Sequence, residues 1–283
     1  TAILALQNGE VDAYQMTPQQ VKKLDLDASN LTAYSYTEGR VGYLQINCNR
    51  VTDENVRKAL LFAMDRKAMD DAAFESDEYY SIPYTFLPTN SQFYTEDGVE
   101  KYEQDVDKAK SMLEEAGVSG LKLKLGYISS DAVQSAQALL IQEQLKEVGV
   151  TVELAGGDGT AIANAMKDPD NEYDMYLGGY IMGIDPDTFS SLFENDGAYN
   201  YMHYSGYDTI NQLFEEGRSE LDESARKETY AKLQAAVQDT GAFYPIISNN
   251  KILVVNNRIQ GVEDAGLVPV YTFEDTSSLK IAE

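Results

Sequence analysis

His203 and Cys48 are the only histidine and the only cysteine of the chain. A single imidazole cannot build a histidine metal cluster. A single thiol cannot build a cysteine-rich zinc site or an internal disulfide. A Ser-His-Asp triad would have to run through His203, yet neither Ser119-Gly120 nor Ser205-Gly206 lies in a Gly-x-Ser-x-Gly elbow. The oxygen-rich run Asp168-Pro169-Asp170-Asn171-Glu172-Tyr173-Asp174 lacks the glycine and the downstream glutamate of an EF-hand loop, so it reads as a solvated acidic turn. Gly156-Gly157-Asp158-Gly159 has no Gly-Lys-Ser/Thr ending and reads as a flexible turn rather than a phosphate loop. Paired carboxylates could serve glycoside hydrolysis. With 47 acidic residues, however, proximity of two of them carries no specificity. No catalytic constellation and no cofactor site is expected. What remains is Tyr180-Ile181-Met182-Gly183-Ile184-Asp185-Pro186, an aromatic and apolar loop directly after a strand-like run. Ligands of α/β sheets collect at that end of a strand.

The elements that must hold this loop are legible along the chain. Its 283 residues suit one large or two ordinary domains. Hydrophobic residues make up 43% and charged residues 24%, a balance that supports a sizeable core. No stretch approaches the roughly 18 apolar residues that span a bilayer. Net charge is -25. Such a chain repels a phosphate backbone, so nucleic acid is excluded as a partner. Tryptophan is absent and tyrosine reaches 20, so an aromatic recognition surface must be made of Tyr and Phe.

Thr1 to Leu6 reads as the tail of a helix stopped at Asn8-Gly9, a beginning that suggests a piece of a longer protein. Val11–Tyr14 reads as a strand, Thr17-Pro18 as a capped helix start, and 32–46 as strand. The spacing predicts helices after Thr52, over Asp105–Ala116 with Gly117 as stop, and over Asp131–Val148. Strands over 121–125 and 150–154 flank the last of these, which gives a βαβ unit. A short helix at Ala161–Met166, a buried strand at Tyr173–Tyr180 ending in glycines, and paired helices at Tyr207–Arg218 and Asp222–Gln238 follow. Two apolar strand-like runs, 242–247 and 252–255, come last. The class is mixed α and β.

Four ordered segments carry a resemblance. They are Leu6-Gln7-Asn8-Gly9-Glu10-Val11-Asp12-Ala13; Leu44-Gln45-Ile46-Asn47 with Asp53-Glu54-Asn55-Val56-Arg57-Lys58-Ala59-Leu60 and Ala63-Met64-Asp65-Arg66; Tyr102 through Gly117; and Asp185-Pro186-Asp187 with Asn200-Tyr201-Met202-His203-Tyr204 and Asp208. Together they resemble the family 5 extracellular solute-binding proteins of ABC importers, a group that includes oligopeptide, dipeptide and nickel binders. The resemblance implies an α/β fold of the periplasmic-binding-protein type (type II, cluster C), with a mixed sheet flanked by helices in the C-terminal lobe. That lobe would cover 51–244. Residues 1–50 would be a partial segment of the first lobe and 245–283 a return to it, with hinges near Asn47–Val51 and Pro245–Asn249.

The resemblance further implies a monomeric, non-enzymatic subunit outside the cytoplasm, periplasmic or lipid-anchored. It would close two lobes on a short peptide and present it to a membrane permease. Other solutes (a nickel chelate or a sugar), a sensor of the same fold, or an acid-pair glycoside hydrolase are the alternatives. The expected ligand-binding residues are Asn47, Tyr180, Met182, Gly183, Ile184, Asp185, Asn200, Tyr201 and His203, with Tyr80 and Tyr199 as further wall candidates. Oligopeptide binders carry an Asp for the peptide α-amine where this chain has Gly183, and Asp185 is the candidate substitute.

Overall fold

The computed structural model describes residues 2–74, 77–181, 183–269 and 271–282. Strands are β1 (Ala13–Met16), β2 (Leu31–Thr37), β3 (Arg40–Ile46), β4 (Tyr80–Ser81), β5 (Lys122–Ile128), β6 (Thr151–Gly157), β7 (Met175–Ile181) and β8 (Phe243–Asn256). Helices are α1 (Ala2–Gln7), α2 (Pro18–Val21), α3 (Glu54–Phe62), α4 (Arg66–Phe74), α5 (Val106–Glu115), α6 (Ala132–Glu147), α7 (Gly159–Met166), α8 (Ser190–Phe193), α9 (Tyr207–Ser219) and α10 (Glu223–Asp239). Short two-residue ribbons close the C-terminal segment.

Part of the acidic excess is used on helix starts. Asp53, Asp105, Asp131, Asp158 and Asp222 each cap a helix and accept from backbone N–H groups of its first turn. A carboxylate there satisfies orphan donors and sits at the positive end of the helix dipole. The cap of α3 is therefore Asp53 and not Thr52. Gly156-Gly157-Asp158-Gly159 is no free turn either. It is the end of β6, the cap of α7 and the first helical residue.

One mixed sheet runs β8-β3-β7-β5-β6. Strands β5, β6 and β7 are parallel, and β3 lies antiparallel to both β7 and β8. The expected βαβ unit is β5-α6-β6, with Lys122 opposite Thr151 and Ile128 opposite Gly157. One face of the sheet packs Leu44, Ile46, Leu125, Met175 and Leu177 against α3–α6. The other packs Tyr43 and Phe243 against Phe189, Phe193 and the α9–α10 pair. Each fully buried large apolar side chain here contributes about 1.5–3 kcal/mol.

The two C-terminal apolar runs join into the single strand β8. Its first half pairs β3, and its second half pairs β2 and β1. The second half has small cores of its own on both faces: Ile252 and Val254 with Leu6, Met16 and Leu31, and Leu253 and Val255 with Tyr36 and Val262. The run 32–46 is likewise two strands, split at Glu38-Gly39, where Gly39 takes φ +69°. Pairing partners thus change at Thr37–Arg40 and around Ile247–Asn250, so β3 pairs with β7 rather than with the first fifty residues.

The most telling motif residues serve this scaffold. Arg57 is buried, and its guanidinium donates to the carbonyls of Thr240, Val51 and Thr52 at 2.8–3.1 Å. Arg66 donates to Pro245 O at 2.8 Å and Lys101 O at 2.7 Å, and lies 4.1 Å from the Tyr244 ring centroid.

Candidate functional site

The two rims of the sheet differ. At the amino ends of the parallel strands, the charged groups Arg50, Lys124, Glu172 and Asp174 are paired, while the buried Asn47 Nδ2 has no partner among the described residues. Asp174 accepts from Arg50 Nε and from the Lys124 N–H, both at 2.7 Å, and Lys124 Nζ meets Glu172 at 2.6 Å. At the carboxyl ends, β7 runs through Gly178 and Gly179 into the loop at Gly183. A Cβ at Gly178 would sit 2.7 Å from the Tyr43 ring, and one at Gly179 would collide with the Arg40 guanidinium. The two glycines clear room on both faces of this rim.

Tyr180 stands on that rim opposite Val41, half-buried, with its ring 5.4 Å from Phe189 and 5.8 Å from Tyr199. Tyr199 and Ile184 are exposed, 47% and 41% of each remaining accessible, and Ile181, turned to the other face of β7, is 42% accessible. Large apolar residues left open at a strand end are the kind of feature that marks a binding surface. Gly183 takes φ +91° and has open space where a Cβ would stand. Met182 lies outside the described residues. Ile184 O accepts from Ser91 Oγ at 2.5 Å, which pins the loop.

Asp185 is already engaged. It caps the 3-10 turn Pro186–Phe189 by accepting from the Asp187 N–H at 3.0 Å, and its two oxygens accept from Arg226 Nη2 at 3.0 and 3.2 Å. Asp187 and Glu194 hold Arg218 in the same way. A concavity of about 450 Å³ lined by Glu194, Asn211 and Arg218 lies on this helical side and takes in none of the predicted residues.

The remaining predicted residues are supports. Gln45, fully buried on β3, accepts from the Tyr201 N–H at 3.0 Å and donates to Tyr199 O at 3.4 Å. Cys48 N–H donates to Met202 O at 2.7 Å. These bonds lay segment 199–202 against the rim. Asn200 is buried, donates to Glu194 O and accepts from the Tyr207 hydroxyl, both at 2.9 Å. Asn47 is buried; its N–H donates to Asp174 O and its Oδ1 accepts from the Asn49 N–H, so it turns the chain after β3. Tyr201 packs edge-on against Tyr176 at 5.3 Å; burial pushes its phenol up to about 12, and its hydroxyl has no partner among the described residues. His203 adopts φ +49° with its Nε2 at 2.9 Å from Met166 O. Tyr80 is buried on β4 and donates to Asp71 at 2.5 Å, away from the tyrosine rim. Burial pushes the Cys48 thiol up to about 11, which leaves it a poor nucleophile.

The sequence reading passed over Arg40 and Asn249, which meet where pairing partners change. Arg40 Nη1 donates to Asn249 Oδ1 at 3.2 Å. The only signal for Arg40 was a cation inside an otherwise uncharged strand. Among the described residues, no group of three or more His, Cys, Asp or Glu could hold a metal ion. No described helix is long and apolar enough to cross a membrane.

The comparisons with known proteins now bear on this site. The family model for bacterial extracellular solute-binding proteins, family 5 Middle, matches residues 1–201. The chain belongs to that family. Its fold matches the ABC transporter substrate binding protein CtaP of Listeria monocytogenes with a TM-score of 0.92 and 37% identity, over 100% of this chain and 58% of that one. AppA of Clostridium difficile matches with a TM-score of 0.89 and 31% identity, over 99% and 58%. The oligopeptide-binding protein AppA of Bacillus subtilis is 25% identical over 281 residues, 90% of this chain and 50% of that protein. The chain thus spans half or a little more of these family 5 relatives. The expected α/β solute-binding fold is present.

Proposed function

We propose that this chain forms the greater part of one lobe, and a portion of the other, of an extracytoplasmic ABC-importer subunit that captures short peptides and hands them to a membrane permease. The lobe would be built from β3 to the first half of β8, so that the chain passes between lobes at Thr37–Arg40 and Ile247–Asn250. One passage agrees with the expected hinge at Pro245–Asn249, and the other lies a strand earlier than Asn47–Val51. The observation that carries the reading is the open tyrosine rim at the carboxyl ends of the parallel strands, beside both passages. Tyr180, Tyr199, Ile184 and the backbone at Gly183 would contact the ligand, while Asn47, Asn200, Tyr201 and His203 hold that wall in shape.

The reading is supported by relatives named as oligopeptide-binding and dipeptide-binding proteins. A hinged binder needs a ligand that prefers the closed form, and a rigid aromatic wall gives closure something to press against. Chemistry is not part of the proposal, since the carboxylates beside this loop, Asp185 and Asp187, are held by Arg226 and Arg218. The subunit would act as a monomer, soluble in the periplasm or anchored by lipid at the cell surface.

Native mass spectrometry of the full natural-length protein, purified without refolding, tests the proposal. A ladder of co-purified short peptides is the expected outcome. A single non-peptide solute would overturn the peptide assignment, and Asp185-dependent glycan hydrolysis would overturn the binding-only reading.

A further inference from the structure

Among the described residues, Arg40 has no carboxylate partner. It begins β3, opposite Ile181 at the open rim, and it is partly buried. A guanidinium offers five donors in a planar fork. Among the described residues only one of them is used, from Nη1 to the neutral amide oxygen of Asn249 at 3.2 Å. In a chain with 47 acidic residues, a cation finds a carboxylate easily. Arg50, Arg218, Arg226 and Arg258 each have one, and Arg57 and Arg66 fill their donors with backbone carbonyls instead.

The nearest candidate is withheld. Glu38, two residues before Arg40, accepts from Asn249 Nδ2 at 2.5 Å and pairs with Lys251 Nζ at 3.3 Å. Its negative charge is thus spent on a lysine and on orienting an amide, whose oxygen is turned to Arg40. The guanidinium is positioned by a neutral group and keeps its charge. Glycines make its bed: Nη1 lies 3.4 Å from where a Gly42 Cβ would be, and a Cβ at Gly179 would strike the fork. A partly desolvated, uncompensated charge is unfavourable in the empty protein, so its gain must come from something that binds.

We infer that Arg40 is an anion receptor that takes a carboxylate of the captured ligand in bidentate fashion. The inference rests on the peptide-capture reading above. Two sources share this chemistry, the peptide's terminal carboxylate and an acidic side chain.

The test uses the full natural-length protein and pentapeptide mixtures in matched forms. One pair differs only in a free C-terminal carboxylate against a C-terminal amide. The other differs only in one internal Glu against Gln. Affinities come from calorimetry. Wild type is expected to favour the carboxylate form of one pair by about tenfold or more, and that pair names the source. Arg40→Gln is expected to erase the preference, and Arg40→Lys to keep a weaker one. Gly179→Ala, which displaces the fork while leaving it in the chain, is expected to lower the preference several-fold, and it covers the case in which Arg40→Gln does not fold. Peptides bound without preference for either carboxylate, or a preference that survives Arg40→Gln, would overturn the receptor and leave peptide capture standing. If wild type binds none of the mixtures, peptide capture fails and the receptor fails with it.

Discussion

Arg226 and Arg40 are both partly buried guanidiniums near the Tyr180 loop, and they are treated oppositely. Arg226 donates to Gly217 O at 2.9 Å and to both oxygens of Asp185, and it lies about 5 Å from the Phe93 and Tyr230 rings. Its charge is neutralised and its donors are occupied, so it fastens the loop to α10. Arg40 has one neutral contact. The other arginines are ion-paired or have their donors filled by backbone carbonyls, and among the described residues Arg40 has neither arrangement. A satisfied cation fastens the scaffold, and the unsatisfied one at the open rim is the one we infer receives a ligand carboxylate.

The comparison can be broken or sharpened by substitution. The largest effect is expected at Arg57, which represents the satisfied extreme. Arg57→Met strips donors from three backbone carbonyls, those of Thr240 and Val51 in buried bonds, and denaturant unfolding should show a loss of about 3–5 kcal/mol.

Asp70 on α4 is a buried acid that the fold holds neutral instead of pairing. Burial pushes its carboxyl up to about 8, against the Gln137 hydrogen bond and the Arg66 charge that pull it down. Between about pH 4 and pH 8 the unfolded chain releases this proton while the folded chain keeps it. Its contribution to stability therefore falls as pH rises, by up to about 1.4 kcal/mol per pH unit. Asp70→Asn can still accept from Gln137, and it should gain on wild type across that window by a few kcal/mol. Parallel pH–stability curves for the two proteins would remove Asp70 from the comparison.

Arg226→Met should cost about 1–2 kcal/mol, because the partner Asp185 is partly exposed and can be rehydrated. The cost should shrink in high salt. At the small end, Arg40→Gln should shift stability by no more than about 0.5 kcal/mol, since it breaks a single neutral contact. A loss near that of Arg57→Met would collapse the distinction between the two kinds of arginine.

Much of the fold was legible because its signals are local. Aspartates stand one residue before the helices they cap, Gly117 stops α5 at φ +68°, and leucines alternate with lysines along β5. The flanks of α6 read as parallel strands for the same reason. The loop after β7 was legible as a site because an aromatic and apolar stretch followed a buried run. The roles within it were not. The pairing of Asp185 with Arg226, far along the chain, has no signal in the local sequence. The internal bonds of Asn200 with Tyr207 and of Tyr201 with Gln45 likewise depend on residues distant in the sequence or on another element.

The sequence by itself determined the class, the family, the place of the open loop and most helices and strands, though not α4, β4 or α8, because periodicity, capping and turn residues act within a few positions. Tertiary structure alone decided which charges are spent. Glu38 meets Lys251 and Asn249 only because β2 pairs with the second half of β8, more than 200 residues away. Arg40 keeps its charge for the same reason, since an ion pair depends on distance in space and the strand register sets that distance.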